Sequence, residues 1–353
     1  MIVLGINAYH GDASAAAVVD GTLVAAAEEE RFNRFKHSAG LPVAAIRYCL
    51  EAAGACIEDV EHVAVSHNPT AHLARKVLFA VSKRPKTLGS RIAHTARIRD
   101  VRRALADGLG VDTGAIRARQ HRVEHHRSHM ASAFLVSPFE NAACLSIDGF
   151  GDFLSAMWGQ GRGVEIDTLG RVMFPHSVGT CYTAITQYLG FPQYGDEYKV
   201  MGLAAYGEPE FLADFRRILQ THESGYRLDL DYFVHHSDGI AMTWDSGQPV
   251  IGRIFSDALI RRFGPARRPD EPIEPRHRNI AASLQAVTEE IYFWLLDRLH
   301  RKTGQRALCL AGGVAYNSVA NGKSLAKTPF TDLYIQPAAR IRDAARVLGA
   351  GLR

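Results

Sequence analysis

The sequence predicts an α/β chain built as two lobes that face a cleft, and three observations predict it. A strand-turn-strand-turn-strand run opens the chain ("IVLGIN", "AYHGD", "ASAAAVVD", "GT", "LVAAAEEE") and returns at "AACLSID", "GFGD", "FLSAMWGQG" and "RGVEIDTLGRVMF". Asn7 and Asp148 end equivalent apolar strands, and Gly-Asp follows each within a few residues, which is the mark of an internal duplication. Each copy then gives way to a helical period, over 41–54 ("LPVAAIRYCLEAAG") and 179–190 ("GTCYTAITQYLG").

In chain order, the N-terminal apolar run is a strand and not a leader. It lacks a basic flank, and His10, Gly11 and Asp12 interrupt it. The stretch from 83 to 103 carries eight Lys/Arg and one Asp, read either as a solvated helical insertion or as a docking or anion-binding surface. "VEHHRSHMASAF" (123–134) places His125 and His129 four apart, on one face of a helix, ahead of small core residues. Residues 264–277 are Pro-rich and charged and read as an exposed connection. A long helix follows over 279–302, with Leu284, Val287, Ile291 and Leu295 on one stripe and Gly304 as its stop. "RALCLAGGVAYN" reads as a buried strand, a glycine turn and a helix.

Acidic residues at the first hairpin turn of each lobe would point into the cleft. That is the arrangement of the actin-like, sugar-kinase-like (ASKHA) superfamily: a bilobal α/β fold with duplicated lobes, each led by a β-hairpin. The division expected is 1–140 for the first lobe, with a basic helical insertion near 75–110, and 141–353 for the second. Hydrophobic residues at 47% and charged residues at 22% support packed cores. A net charge of +4 is too mild to argue for nucleic acid. Five scattered cysteines without a C-x-x-C pair, and no apolar run of spanning length, lead to the expectation of a cytoplasmic chain that does not engage a membrane.

Chemistry concentrates at a few points. Asp148 closes a strand and is followed by "GFGD"; it acts either as a turn former or, beside two histidines, as a ligand. His125, His129 and Asp148 form a mixed N/O set suited to a borderline divalent ion, Fe²⁺ first and Zn²⁺ second, with room for a fourth ligand from the C-terminal stretch. His126 points elsewhere on the helix and reads as structural. Gly312 and Gly313 let backbone approach a ligand, and the helix that follows favours an anion.

Six ordered segments carry a resemblance: "NAYHGDASAAAVVDG", "EEERFNRFKHS", "VEHHRSHMASAF", "LSIDGFGD", "GFPQYGDEYKVMGLAAYG" and "LCLAGGVAYNSVANGK". Spanning residue 2 to about 339, the chain resembles the N-terminal portion of the O-carbamoyltransferases of antibiotic biosynthesis and nodulation, itself similar in fold to the tRNA threonylcarbamoyl transferases. The resemblance implies an actin-like fold and a two-step reaction. Carbamoyl phosphate and ATP give carbamoyl-adenylate, whose carbamoyl group then moves to a hydroxyl of a small molecule. It implies a metal held by His125, His129, Asp148 and Asp343, and a nucleotide near Lys199, Gly312, Gly313 and Asn317. Lys199 has a salt bridge as its competing reading. His10 and Asp12 are the catalytic candidates, either one orienting or deprotonating the acceptor hydroxyl; Asp12 serves equally as a turn cap, and Gly11 separates two residues that relatives place side by side.

Two departures qualify that likeness. Where the family reads "QPAAGDAG", this chain reads "QPAARIRDAARVLGAG", so Asp343 is displaced and lacks the glycine before it, and a weakened metal contact is expected there. Relatives continue into a carbamoyl-adenylate-forming domain, expected to be absent from a chain ending at Arg353 and supplied by a separate protein. The leading function is therefore the transfer half of an O-carbamoyltransferase. The alternatives are a non-catalytic nucleotide- and metal-binding module, or a small-molecule kinase of the same superfamily, for which "AYHGDAS" offers only one glycine as a phosphate loop.

Overall fold

The computed structural model describes residues 1–9, 11–83, 100–240, 242–243 and 249–336. Strands are numbered in chain order. The first sheet contains β1 (Ile2–Asn7), β2 (Ser14–Val19), β3 (Thr22–Glu28), β4 (His62–Val65) and β5 (Arg119–Arg122), in the order β3-β2-β1-β4-β5. The second contains β6 (Asn141–Gly151), β7 (Leu154–Arg162) and β8 (Glu165–Met173), then, beyond the short pairs β9 (Leu219–His222)–β10 (Gly225–Leu228) and β11 (Met242–Thr243)–β12 (Val250–Ile251), β13 (Ala307–Ala311) and β14 (Asp332–Ile335). Its order, β8-β7-β6-β13-β14, repeats the first. In each sheet the opening three strands form an antiparallel meander, and the last two join in parallel beside the first. This is the duplication expected from the sequence.

Local chemistry sets the turns. Asp20 and Gly21 join β2 to β3 with φ of +50° and +81°, the paired left-handed residues that match the twist of a two-residue hairpin. Asp152 and Phe153 do the same between β6 and β7, with φ of +49° and +74°. A phenylalanine there is strained. It is held by Phe174, 5.1 Å between ring centroids, and by Phe79 at 5.8 Å.

The two cores differ in material. The first packs Ala15, Ala17, Ala25, Ala27, Val63 and Leu105 under the helix Val43–Ala52. The second is built on Tyr188, Phe215, Tyr226, Phe233 and Tyr292 around the long helix Pro275–Thr303. That helix begins at Pro275 and is stopped by Gly304 at φ +63°. The 264–277 connection is tied down rather than loose: Arg267 donates to the Leu189 carbonyl, and Arg276 reaches the Phe263 carbonyl and the Tyr188 hydroxyl.

Sheet membership changes ahead of the expected 140/141 division. β5 ends at Arg122, and the helix His125–Phe134 packs on β6, β7 and β13 of the second sheet. Of the basic stretch from 83 to 103, residues 84–99 lie outside the described residues. Its flanks are the helix Leu73–Lys83 and the helix Val101–Leu109, whose Val101, Leu105 and Ala106 are buried.

Candidate functional site

In the first sheet β1 and β4 run parallel, as β6 and β13 do in the second, so each sheet has a carboxyl-end edge of the kind where ligands of open α/β sheets gather. The histidine helix is fixed by two carboxylates. Glu124 caps it, accepting from the backbone N–H of His126 (3.1 Å) and of Arg127 (2.8 Å). Asp152, at the strained hairpin tip, accepts from the His125 N–H (2.9 Å) and from the Asn68 N–H (2.8 Å). Burial raises the Asp152 carboxyl pKa, yet the hydrogen bond and charge of His67 at 2.7 Å outweigh it, and the group is held below the usual carboxylate range.

The i, i+4 spacing places the His125 and His129 rings 4.5 Å apart at 88°. Their Nε2 atoms lie 3.0 Å from each other, and Asp148 Oδ2 lies 3.3 Å from one and 3.1 Å from the other. Three donor atoms about 2.1 Å from one ion would be roughly 2.9–3.4 Å apart, between facial-octahedral and tetrahedral angles. The observed triangle matches, so these residues fit a divalent metal. All three are buried. The other Asp148 oxygen accepts from the Gly149 N–H at 2.7 Å.

Glycines keep this arrangement open. A Cβ on Gly151 would lie 2.0 Å from His125 Cδ2. A Cβ on Gly179, beside the N-cap Ser177, would lie 2.8 Å from the Asp148 carbonyl oxygen, to which Ser177 Oγ donates. Gly312, at φ +93°, brings the end of β13 against Ile147, where a Cβ would be 2.4 Å from the carbonyl oxygen. His126 turns away, its Nδ1 2.8 Å from Ser146 Oγ, and burial pushes its pKa down to about 3.

The other candidates are distributed as follows. Asp12, at φ +63°, sits 2.6 Å from His37 Nδ1, and the His37 N–H donates to Glu30 at 2.9 Å. Asp12, Glu30 and His37 form a second cluster with metal-ligand atoms in reach of one another. Lys199 pairs with Asp196 at 2.7 Å, which raises its pKa, and lines a cavity of about 190 Å³ with Lys36, His37, Tyr194 and Gly195. Glu197 accepts from Thr183 Oγ1 at 2.5 Å. Asn317 caps the helix Ser318–Lys327 through Ala320 and exchanges amide hydrogen bonds with Gln285. Gly313 opens a short 3-10 turn before that cap. His10 and Asp343, with Arg340, Ile341 and Arg342, lie outside the described residues.

Sequence reading passed over His37, Glu30, Glu124 and Asp152. The signal for two of them was available: "EEERFNRFKHS" contains both Glu30 and His37. Only the fold brings His37 to Asp12, across 25 positions.

Comparison with known proteins adds to this geometry. The family profile described as "Carbamoyltransferase N-terminus" matches residues 2–352. An uncharacterized protein of Synechocystis sp. is 38% identical over 99% of this chain and 56% of its own length. The nodulation protein NolNO of Sinorhizobium fredii is 36% identical over 98% of this chain and 46% of its own, and NolO of Bradyrhizobium diazoefficiens is 42% identical over 65% and 38%. The chain thus spans about half the length of the curated relatives it matches. Component A of the (R)-2-hydroxyglutaryl-CoA dehydratase of Acidaminococcus fermentans superposes on 99% of this chain, and with 97% of itself, at TM-score 0.50 and 13% identity. That likeness is one of fold, the actin-like bilobal fold with duplicated lobes. Among the described residues no helix is long and apolar enough to cross a membrane.

Proposed function

The chain belongs to the carbamoyltransferase family, and on that premise we propose that it moves a carbamoyl group from carbamoyl-adenylate to a hydroxyl of a small-molecule acceptor, with a divalent metal at His125, His129 and Asp148. The observation that carries the reading is the buried triangle of two Nε2 atoms and one Oδ2 atom at 3.0–3.3 Å. Two neutral imidazoles and one carboxylate favour Fe²⁺ first and Zn²⁺ second. When bound, such an ion supplies Lewis acidity toward the carbamoyl carbonyl or the acceptor oxygen.

The chain's own residues do the rest. Glu124 and Asp152 fix the pitch of the histidine helix, and Gly151 leaves room for the His125 ring. Asp12 holds a proton on His37 Nδ1, which makes Nε2 the basic nitrogen. Gly195, at φ +86°, has no side chain to occupy the space beside that atom; a Cβ there would lie 2.4 Å from Nε2. His37 Nε2 takes the proton of the acceptor hydroxyl as its oxygen bonds to the carbamoyl carbon. The bond from that carbon to the adenylate phosphate oxygen breaks, and AMP leaves with the electron pair. The nucleotide is held at the Gly312–Gly313 turn. Asn317 supports the helix behind it rather than the base.

Two measurements on the purified chain test this. Elemental analysis is expected to show about one equivalent of iron or zinc per chain, lost in the His125→Ala/His129→Ala variant. Preformed carbamoyl-adenylate is expected to release AMP faster with the chain than without it. Full metal retention in the double variant overturns the metal assignment, and AMP release at the background rate overturns the transfer.

A further inference from the structure

We propose that the cavity between the start of the helix Leu73–Lys83, the first turn of the histidine helix and β8 binds a phosphate-bearing small molecule. The cavity measures about 370 Å³ and is walled by His72, Arg127, Thr168 and Arg171, with Glu124 and Asp167 beside them. Both lobes contribute: Phe79 of that helix packs on Phe153 and Phe174 of the second lobe.

Positive charge around this cavity is unanswered. Among the described residues, Arg127 and Arg171 have no carboxylate within ion-pair distance. Lys76, half-buried nearby, donates to the Pro69 carbonyl at 3.0 Å and to no carboxylate among the described residues. The carboxylates at hand are largely engaged. Glu124 serves two backbone N–H groups, and Asp152 serves His67 and two more. Asp167 is exposed on the strand edge.

His72 points the same way. Its Nε2 is buried without a hydrogen-bond partner among the described residues. A buried polar atom left unpaired costs roughly 1–3 kcal/mol, which a turn of the His72 ring toward a ligand oxygen in the cavity it lines would relieve. Its backbone is left-handed, at φ +56°, a strained state for a histidine. Burial first, then Arg171 and Lys76, hold its pKa down, against Asp152. Lys76 is likewise lowered by burial, against Asp152 and Glu124.

Two guanidinium groups and an imidazole form a set matched to the oxygens of a phosphate. The cavity is larger than one phosphate ion, which leaves room for the organic part of a phosphomonoester such as a sugar phosphate. The inference stands apart from the transfer reading.

The test uses the intact chain with glucose 6-phosphate, inorganic phosphate and glucose at matched ionic strength. Glucose 6-phosphate is expected to raise the melting midpoint saturably, and glucose is not. In ring-resolved NMR the His72 signals should move on binding, with the titration shifted upward. The Arg127→Gln/Arg171→Gln variant, altered only at exposed side chains, should bind about 10-fold or more weakly, the loss expected of at least one charged hydrogen bond. Undiminished binding in that variant, or His72 signals that do not respond, would overturn the site. Inorganic phosphate binding as tightly as glucose 6-phosphate would overturn the organic part of the ligand. Phosphate held at the Gly312–Gly313 turn is separated by the same variant, which leaves that turn intact.

Discussion

In the first lobe β1 runs into the turn that carries Asp12; in the second the equivalent β6 carries Asp148 within the strand, ahead of its turn at Asp152 and Phe153. Among the described residues Asp12 meets His37 in a half-open pair, with side-chain exposures of 17% and 34%. Asp148 meets two histidines in a closed one, 7% exposed against 10% for His125 and 0% for His129. The same strand order thus yields two kinds of carboxylate–imidazole group, and burial separates them. A buried carboxylate facing two ring nitrogens is stabilised by a cation that all three share. A half-open pair exchanges protons with water and suits acid–base work.

The largest effect tests the cores that support these sites. All three tryptophans, at 158, 244 and 294, lie in the second-lobe part of the sequence, so their fluorescence reports that lobe alone. Phe215→Ala, in the aromatic core, should cost about 3–5 kcal/mol and lower the fluorescence-detected midpoint. Ile6→Val, in the alanine-rich core, should cost about 0.5–1.5 kcal/mol and be seen by far-UV circular dichroism. A loss well below about 3 kcal/mol in Phe215→Ala would mean that its ring does not hold the second core.

Next come the two sites. Asp12→Asn should leave metal content unchanged while slowing AMP release about 100-fold, as loss of a supported base does. Loss of metal in that variant would merge the two groups into one. Gly151→Ala places a Cβ against the His125 ring, which must tilt away from Asp148. Metal affinity should fall about 10–100-fold, as when a ligand loses its supporting contact, and a competing chelator titration reads this out. Unchanged affinity would show that the triangle tolerates a displaced ring.

Much of this was legible in the sequence because it is periodic or local. The duplicated meander is written in repeated turn residues, and the histidine pair in an i, i+4 spacing. Strand pattern cannot say which sheet a helix between two sheets will cover; Met130, Ala133 and Phe134 pack against the second. The pairing of Asp12 with His37 was illegible for a similar reason. His37 looks like any residue of a basic turn until the fold folds that turn under the first hairpin. Asp152 reads as a turn former in "GFGD", and its service to the His125 and Asn68 N–H groups appears only once the hairpin tip meets both lobes.

The smallest effect is a pH dependence that belongs to the second lobe. His176 follows β8, and its Nδ1 accepts from the Leu228 N–H of β10 at 3.2 Å, which requires a neutral ring. Burial, then Arg227, His222 and His236, push its pKa down to about 4. In the unfolded chain an ordinary histidine titrates near 6.5. Between these values the unfolded state binds the extra proton, so the stability this ring contributes is complete above about pH 6.5 and is lost as the pH falls toward 4. The ring is partly exposed, and solvent screening reduces the effect to roughly 1 kcal/mol. His176→Gln keeps a hydrogen-bond acceptor and cannot take up the proton. Its fluorescence-detected midpoint should therefore fall less between pH 7 and pH 4.5 than that of the unaltered chain. Identical acid sensitivity in the two proteins would move the effect to another group and remove His176 as what sets the second lobe apart.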